Sequence, residues 1–199
     1  IFTADYVLIT VPLGVLKKNV IQFAPELPAN KTLAINGLGM GQVNKFLLHW
    51  DKPFWNNDLQ YIGYTPEEKG KFNYFLNVYR LTQKPALMTF ALGNYAVATE
   101  AMTDVEVIEA IMGHLRKIYG NMIPTPIGLQ RTRWASNNFS FGAYSFIAAG
   151  SSSQAFDELA APVANKLFFA GEHTHRLYRG TVHGAYLSGI KAAEAIVKA

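Results

Sequence analysis

Apolar residues along this chain recur with two spacings, one alternating or continuous and one of three and four, and the two alternate in blocks. Tyr6 to Val11 is a β-rich apolar run stopped by Pro12, which reads as a buried strand, and Leu13 to Leu16 turn away from it as an exit loop. A helix is expected from Pro28 through Leu38: proline opens it, Leu33, Ala34 and Leu38 fall at helical spacing, and Gly37 and Gly39 close it. Gln42 to Trp50 then alternates as a strand.

Between Gln60 and Ala98, short aromatic and β-branched runs are divided by turn-formers at Thr65 to Gly70 and Thr82 to Pro85, the pattern of an antiparallel sheet. Asp104 is read as the cap of a helix carrying Val107, Ile108, Ile111, Met112, Leu115 and Ile118, which ends at Gly120. A further strand is placed around Thr132 to Trp134. Asn165 to Ala170 reads as a strand and Val182 to Ala199 as a helix. The two ends of the chain therefore look like parts of one α/β domain flanking an inserted α+β domain, and no internal repeat is visible.

Composition narrows this picture without redirecting it. Half of the 199 residues are hydrophobic, enough to bury a sizeable core. The 18 basic residues exceed the 14 acidic ones by a net +4, but they are scattered, which is the signature of solvated surface and gives no reason to expect a nucleic-acid partner. No apolar stretch is long enough for a membrane-spanning helix, and Ile1 to Asp5 lack the basic and apolar regions of a signal peptide. Without cysteine there is no disulfide, no thiolate metal site and no cysteine link to a cofactor within these residues, and the compartment stays open.

The chemistry concentrates near the C-terminus. The apolar run Lys166 to Ala170 leads into Gly171-Glu172-His173-Thr174, a short polar stretch, and Gly180-Thr181-Val182-His183-Gly184, which opens a helix of small residues. A strand ending in a glycine turn, followed by a helix whose first turn lacks bulk, brings unpaired backbone N–H groups close to a ligand and suits an electron-rich cofactor. By contrast, Gly37-Leu38-Gly39-Met40-Gly41 lacks the spacing of a dinucleotide fingerprint and follows a helix where the fingerprint follows a strand, so it is read as a helix stop and loop. His173, His175 and His183 match no zinc spacing, and no metal is expected.

The run from Phe168 to Gly189, F-F-A-G-E-H-T-H-R-L-Y-R-G-T-V-H-G-A-Y-L-S-G, resembles the C-terminal FAD-binding signature of the flavin-dependent amine oxidases, nearest to polyamine oxidases and lysine-specific histone demethylases. Collinear matches lie at T-V-P-L-G-V-L-K-K from Thr10, at V-N-K-F from Val43, at D-K-P-F-W from Asp51, and at R-W from Arg133 followed by F-G-A-Y-S-F-I-A-A-G-S-S from Phe141. The resemblance implies an α/β plus α+β chain: the C-terminal part of an FAD-binding Rossmann-like domain, with an inserted substrate domain of antiparallel sheet and helices. On that reading residues 1–15 and 141–199 belong to the FAD-binding domain and 16–140 to the substrate domain.

The same resemblance implies site residues. Gly171 and Glu172 would meet the ribityl and diphosphate part of FAD, and Gly180, Thr181 and Val182 the pyrimidine edge of the flavin. Lys45 would order a water at flavin N5. Tyr144, with Gly180 and Thr181, would line the substrate channel, and Phe139 falls where close relatives of the family have a tryptophan beside the ring. Thr181 stands where monoamine oxidases carry the second tyrosine of an aromatic cage, which favours the polyamine-oxidase-like branch. Spacing alone leaves the structural readings open: a core strand and turn for the Gly-Glu segment, a surface lysine for Lys45, and core aromatics for Tyr144 and Phe139.

The implied reaction is oxidation of an amine C–N bond to an imine, with oxygen reduced to hydrogen peroxide. Alternatives are an L-amino-acid oxidase of the same superfamily, and a histone-demethylase-like protein or non-catalytic binding module. The N-terminal βαβ unit that holds the FAD diphosphate in this family is not among these residues, so a missing N-terminal half is the expected partner, together with a small amine and oxygen. These residues alone are expected neither to hold FAD tightly nor to turn over.

Overall fold

The computed structural model describes all 199 residues, Ile1–Ala199. In chain order the elements are β1 (Val7–Ile9), α1 (Leu13–Lys17), α2 (Ala29–Gly37), β2 (Leu38–Gly41), β3 (Val43–His49), β4 (Tyr61–Gly63), β5 (Lys71–Asn77), α3 (Tyr79–Thr82), β6 (Ala86–Leu92), α4 (Gly93–Ala101), α5 (Asp104–Tyr119), β7 (Gly128–Arg131), β8 (Tyr144–Ile147), α6 (Gln154–Ala160), β9 (Leu167–Phe169) and α7 (Val182–Val197), with a 3₁₀ turn at Glu172–Thr174. They form two compact units, one from residues 1–41 and 137–199 and one from residues 42–136.

In the unit made from the chain ends, β1 and β9 pair in parallel, Val7 opposite Leu167 and Ile9 opposite Phe169. Beside this pair, Leu13, Leu16, Ala34, Ile35, Leu38, Phe156 and Leu159 bury a common core. Residues 16–41 therefore pack with the chain ends, whereas the sequence reading grouped them with the inserted domain. Lys31 on α2 strengthens that grouping. It is 2% exposed, and its Nζ donates to the carbonyls of Glu158, Leu159 and Ala161 at 3.0, 2.8 and 2.6 Å, satisfying the last turn of α6. Burial lowers its pKa to about 8, against the opposing charge of Glu158.

Three local expectations change here. Leu13 to Leu16 are helical in α1, not an exit loop, because all four are buried and Pro12 supplies a compatible first turn. Gly37 to Gly41 do end a helix, but Leu38–Gly41 then pairs antiparallel with β8, and the Phe146 ring lies where a Cβ on Gly39 would stand. Helix α6 falls where no helix was expected.

The second unit is a five-stranded antiparallel sheet in the order β4-β5-β6-β3-β7. The alternation of β3 buries Asn44, Phe46 and Leu48 on one side, and amphipathic α5 contributes Val107, Ile111, Met112 and Leu115 to a core with Phe46, Phe72, Phe75 and Leu87. The cap of α5 is Thr103, one residue before the expected Asp104: its hydroxyl accepts from Glu106 N at 3.2 Å and Glu106 answers Thr103 N at 2.7 Å, a capping box. Gly93–Ala101 is helical rather than a continuation of the sheet, and β7 ends at Arg131, just before the strand expected at Thr132.

Candidate functional site

The C-terminal segment builds its site from a turn, a cap and a staple. After β9, Gly171 takes φ +139° and its N–H donates to Ser188 Oγ on α7 at 2.8 Å, which ties the strand end to the helix that follows. Glu172 begins the 3₁₀ turn and places both carboxylate oxygens among backbone donors. It accepts from Ser145 N at 2.9 Å, from Ser145 Oγ at 2.6 Å and from Gly180 N at 2.5 Å. One side chain thus joins strand β8, the 3₁₀ turn and the entry to α7.

Gly180 takes φ +70°, a conformation that a side-chain-bearing residue reaches only with strain, and its open side faces the Tyr144 ring. Thr181 caps α7: its Oγ1 accepts from Gly184 N at 3.0 Å and donates to Tyr178 O at 2.5 Å, while its carbonyl accepts from Ala185 N at 3.1 Å. The two remaining amides of the first turn, Val182 and His183, have no acceptor within the helix, and the Val182 side chain is 88% exposed. The helix dipole puts partial positive charge at these open donors.

Gly171, Glu172, Gly180, Thr181, Val182 and Tyr144 therefore lie close together in the fold. Tyr144 is half-exposed on β8, opposite Gly41. Phe139 stands apart: it is 85% exposed in the turn before β8, held through its amide to Asn137 Oδ1 at 2.8 Å, and no ring contact ties it to the cluster. Lys45 lies in the other unit, on β3. Its side chain is exposed beside its cross-strand partner Phe90, which stacks on Tyr74 at 5.1 Å.

Sequence reasoning missed Ser145 and Ser188. Ser145 had a signal in its alternation, since it is the buried polar position between exposed Tyr144 and Phe146. The histidines do not converge as ligands. His173 is buried at 2% exposure, and burial pushes its pKa down to about 4 against the pull of Glu172, whereas His175 and His183 each rest on Tyr178, at 5.0 and 4.8 Å. A depression of about 680 Å³ runs along the body of α7 past Ser188, Lys191 and Ala195. It borders the middle of that helix, not the open donors of its first turn.

Comparisons with known proteins bear on this site. The chain matches the family model "Flavin containing amine oxidoreductase" over residues 1–197. It is 42% identical to Lysine-specific histone demethylase 1 homolog 1 of Oryza sativa subsp. japonica, over 100% of this chain and 24% of that protein. It is 43% identical to Polyamine oxidase 4 of the same organism, over 97% of this chain and 39% of the relative. A solved structure of putrescine oxidase with putrescine bound shares the fold at a TM-score of 0.80 and 20% identity, covering 98% of this chain and 43% of that one. The chain thus spans less than half the length of these relatives.

Proposed function

Because this chain belongs to the flavin-containing amine oxidoreductases, we propose that the protein carrying it is an FAD-dependent oxidase of polyamine-like amines, with oxygen as the electron acceptor. The observation that carries this reading is the first turn of α7, where Thr181 and the Glu172 staple hold the Val182 and His183 amides open as donors. These donors and the positive end of α7 fit the electron-rich edge of a flavin and would stabilise negative charge there. Bound FAD would supply the acceptor for a hydride from the carbon next to the amine nitrogen and would be reoxidised by oxygen with release of hydrogen peroxide.

The chain's own residues divide the remaining work. Gly180 and Tyr144 would border the amine, and the exposed Tyr144 ring offers it an apolar and cation-attracting wall. Glu172 has about four acceptor positions on its carboxylate. Three bonds inside the chain already engage it, so its role shifts from direct cofactor contact toward holding the turn. No side chain is assigned as a base, since the neutral amine lone pair assists loss of the hydride and water hydrolyses the resulting imine to an aldehyde and a smaller amine. Lys45 is assigned the ordering of a water for the oxygen reaction. The remainder of the FAD site is proposed to come from sequence outside these residues, as the greater length of the relatives supports.

The 42% identity to a demethylase-like relative favours methylated lysine peptides as the second reading. A panel of polyamines, L-amino acids and a dimethyl-lysine peptide, offered to the full-length protein with peroxide detection, separates these. Peroxide and aldehyde from polyamines are expected, and activity on amino acids or on the peptide alone would overturn the polyamine assignment. For Lys45, the Lys45→Met variant should keep its FAD and slow reoxidation by oxygen about tenfold or more, or about 1.4 kcal/mol in the barrier. Reoxidation at the wild-type rate would remove Lys45 from the site.

A further inference from the structure

Directly beside Lys45, a polar hub is buried in the antiparallel unit. Asn44 is 1% exposed, and its side chain bonds in four directions. Nδ2 donates to Ala96 O at 3.0 Å and to Glu100 Oε1 at 2.8 Å, while Oδ1 accepts from Thr132 Oγ1 and from Trp134 N, both at 3.1 Å. Two donors and two lone pairs are the whole capacity of an amide, so this one is saturated and its orientation is fixed.

Thr132 passes that fixation to Lys45. Its hydroxyl, which donates to Asn44, accepts from Lys45 N at 2.9 Å, and its own N–H donates to Lys45 O at 3.1 Å. Regular pairing of β7 with β3 stops at Arg131 opposite Phe46, and the Thr132 side chain carries the ladder one residue further in place of a backbone carbonyl. Glu100, on α4, anchors the other end of the network by accepting from Ala135 N and Ser136 N at 2.8 Å each. Burial alone would raise the Glu100 pKa, yet the hydrogen bonds to Asn44, Ala135 and Ser136 outweigh it and hold the carboxyl below its usual range.

We propose that Asn44, Thr132 and Glu100 are positioning residues for Lys45, fixing the backbone from which its flexible side chain reaches its water. The inference rests on the role given to Lys45 above. A lysine on an exposed strand face has several rotatable bonds, and only its Cα can be placed by the fold. Lys45 lies one residue past the last regular pair between β3 and β7, where without the Thr132 hydroxyl its N–H would lose its partner on the β7 side and that edge of the ladder would loosen, while β6 still holds the other edge of β3. A network that only satisfied buried polar groups would leave the oxygen reaction unmoved when one link is cut.

The test is Thr132→Val in the full-length protein, with Thr132→Ser as the conservative control. By hydrogen exchange with or without cofactor, the Lys45 and Trp134 amides of Thr132→Val should exchange about fivefold faster, the factor one hydrogen bond carries in local opening. Reoxidation by oxygen should slow roughly threefold or more, since displacement of a positioned group costs rate. Thr132→Ser should restore both, and Thr132→Val should add nothing in a Lys45→Met background. Faster exchange with wild-type reoxidation would reduce the network to structure and overturn the inference, leaving the Lys45 assignment intact. Wild-type reoxidation in Lys45→Met itself would instead sink the underlying reading. If Thr132→Val does not fold, Glu100→Gln cuts the far end of the same network: faster exchange with slowed reoxidation is again expected, and wild-type reoxidation again overturns the inference.

Discussion

Ser145 gives both its amide and its hydroxyl to the carboxylate of Glu172, at 2.9 and 2.6 Å, across 27 residues of chain. With the third bond from Gly180 N at 2.5 Å, every donor around this carboxylate expects an acceptor. Glu172→Gln would point one N–H group at another, and bonds to a charged acceptor are worth about 1.5–3 kcal/mol each, so a loss of roughly 2 kcal/mol or more is expected. Ser145→Ala keeps the backbone bond and should cost less. Urea unfolding of the two variants checks the order, and a Glu172→Gln midpoint equal to wild type would show that the staple does not hold this turn.

Gly180 and Thr181 are adjacent but should fail for different reasons. A Cβ at Gly180 would meet the Tyr144 ring at 3.5 Å, an ordinary contact, so the harm in Gly180→Val comes chiefly from forcing a β-branched residue to φ +70°, about 1–3 kcal/mol of strain. Thr181→Ala removes the α7 cap at about 1 kcal/mol but leaves the Val182 and His183 amides in place. In the full-length enzyme Gly180→Val should therefore impair amine oxidation severely while Thr181→Ala retains most FAD and most turnover. Urea midpoints and FAD content measured together decide it, and a fully active Gly180→Val would place the substrate elsewhere.

Acid should act through His173. Burial holds its folded pKa at about 4, with the nearby Glu172 charge opposing. An unfolded histidine titrates near 6.5. Between these values the unfolded chain binds a proton that the folded chain refuses, so stability falls as pH drops from about 6.5 toward 4 and this group contributes nothing above that window. His173→Phe, a flat ring without the titrating nitrogens, should lose less stability over the same range. Parallel stability curves for the two proteins from pH 7 to 4.5 would show that His173 accepts its proton without cost.

The sequence by itself determined what repeats locally. The period of α5, the alternation of β3, the apolar run of β9 and the glycine-rich start of α7 were legible because each depends on side chains a few residues apart. Gly171-Glu172 and Gly180-Thr181 could be singled out for the same reason, as two short motifs close together in the chain. Tertiary structure decided what depends on distant partners. Leu38–Gly41 became a strand only because β8 lies beside it, and Leu13 to Leu16 became a helix as Leu13 and Leu16 joined the core shared with α2 and α6. Glu172 acquired its work from Ser145, and Lys45 its anchor from Thr132, across separations that no local pattern encodes. A hydrogen bond between residues 27 or 87 apart leaves no periodic trace, since its donor and acceptor are ordinary polar residues until the fold removes water from around them.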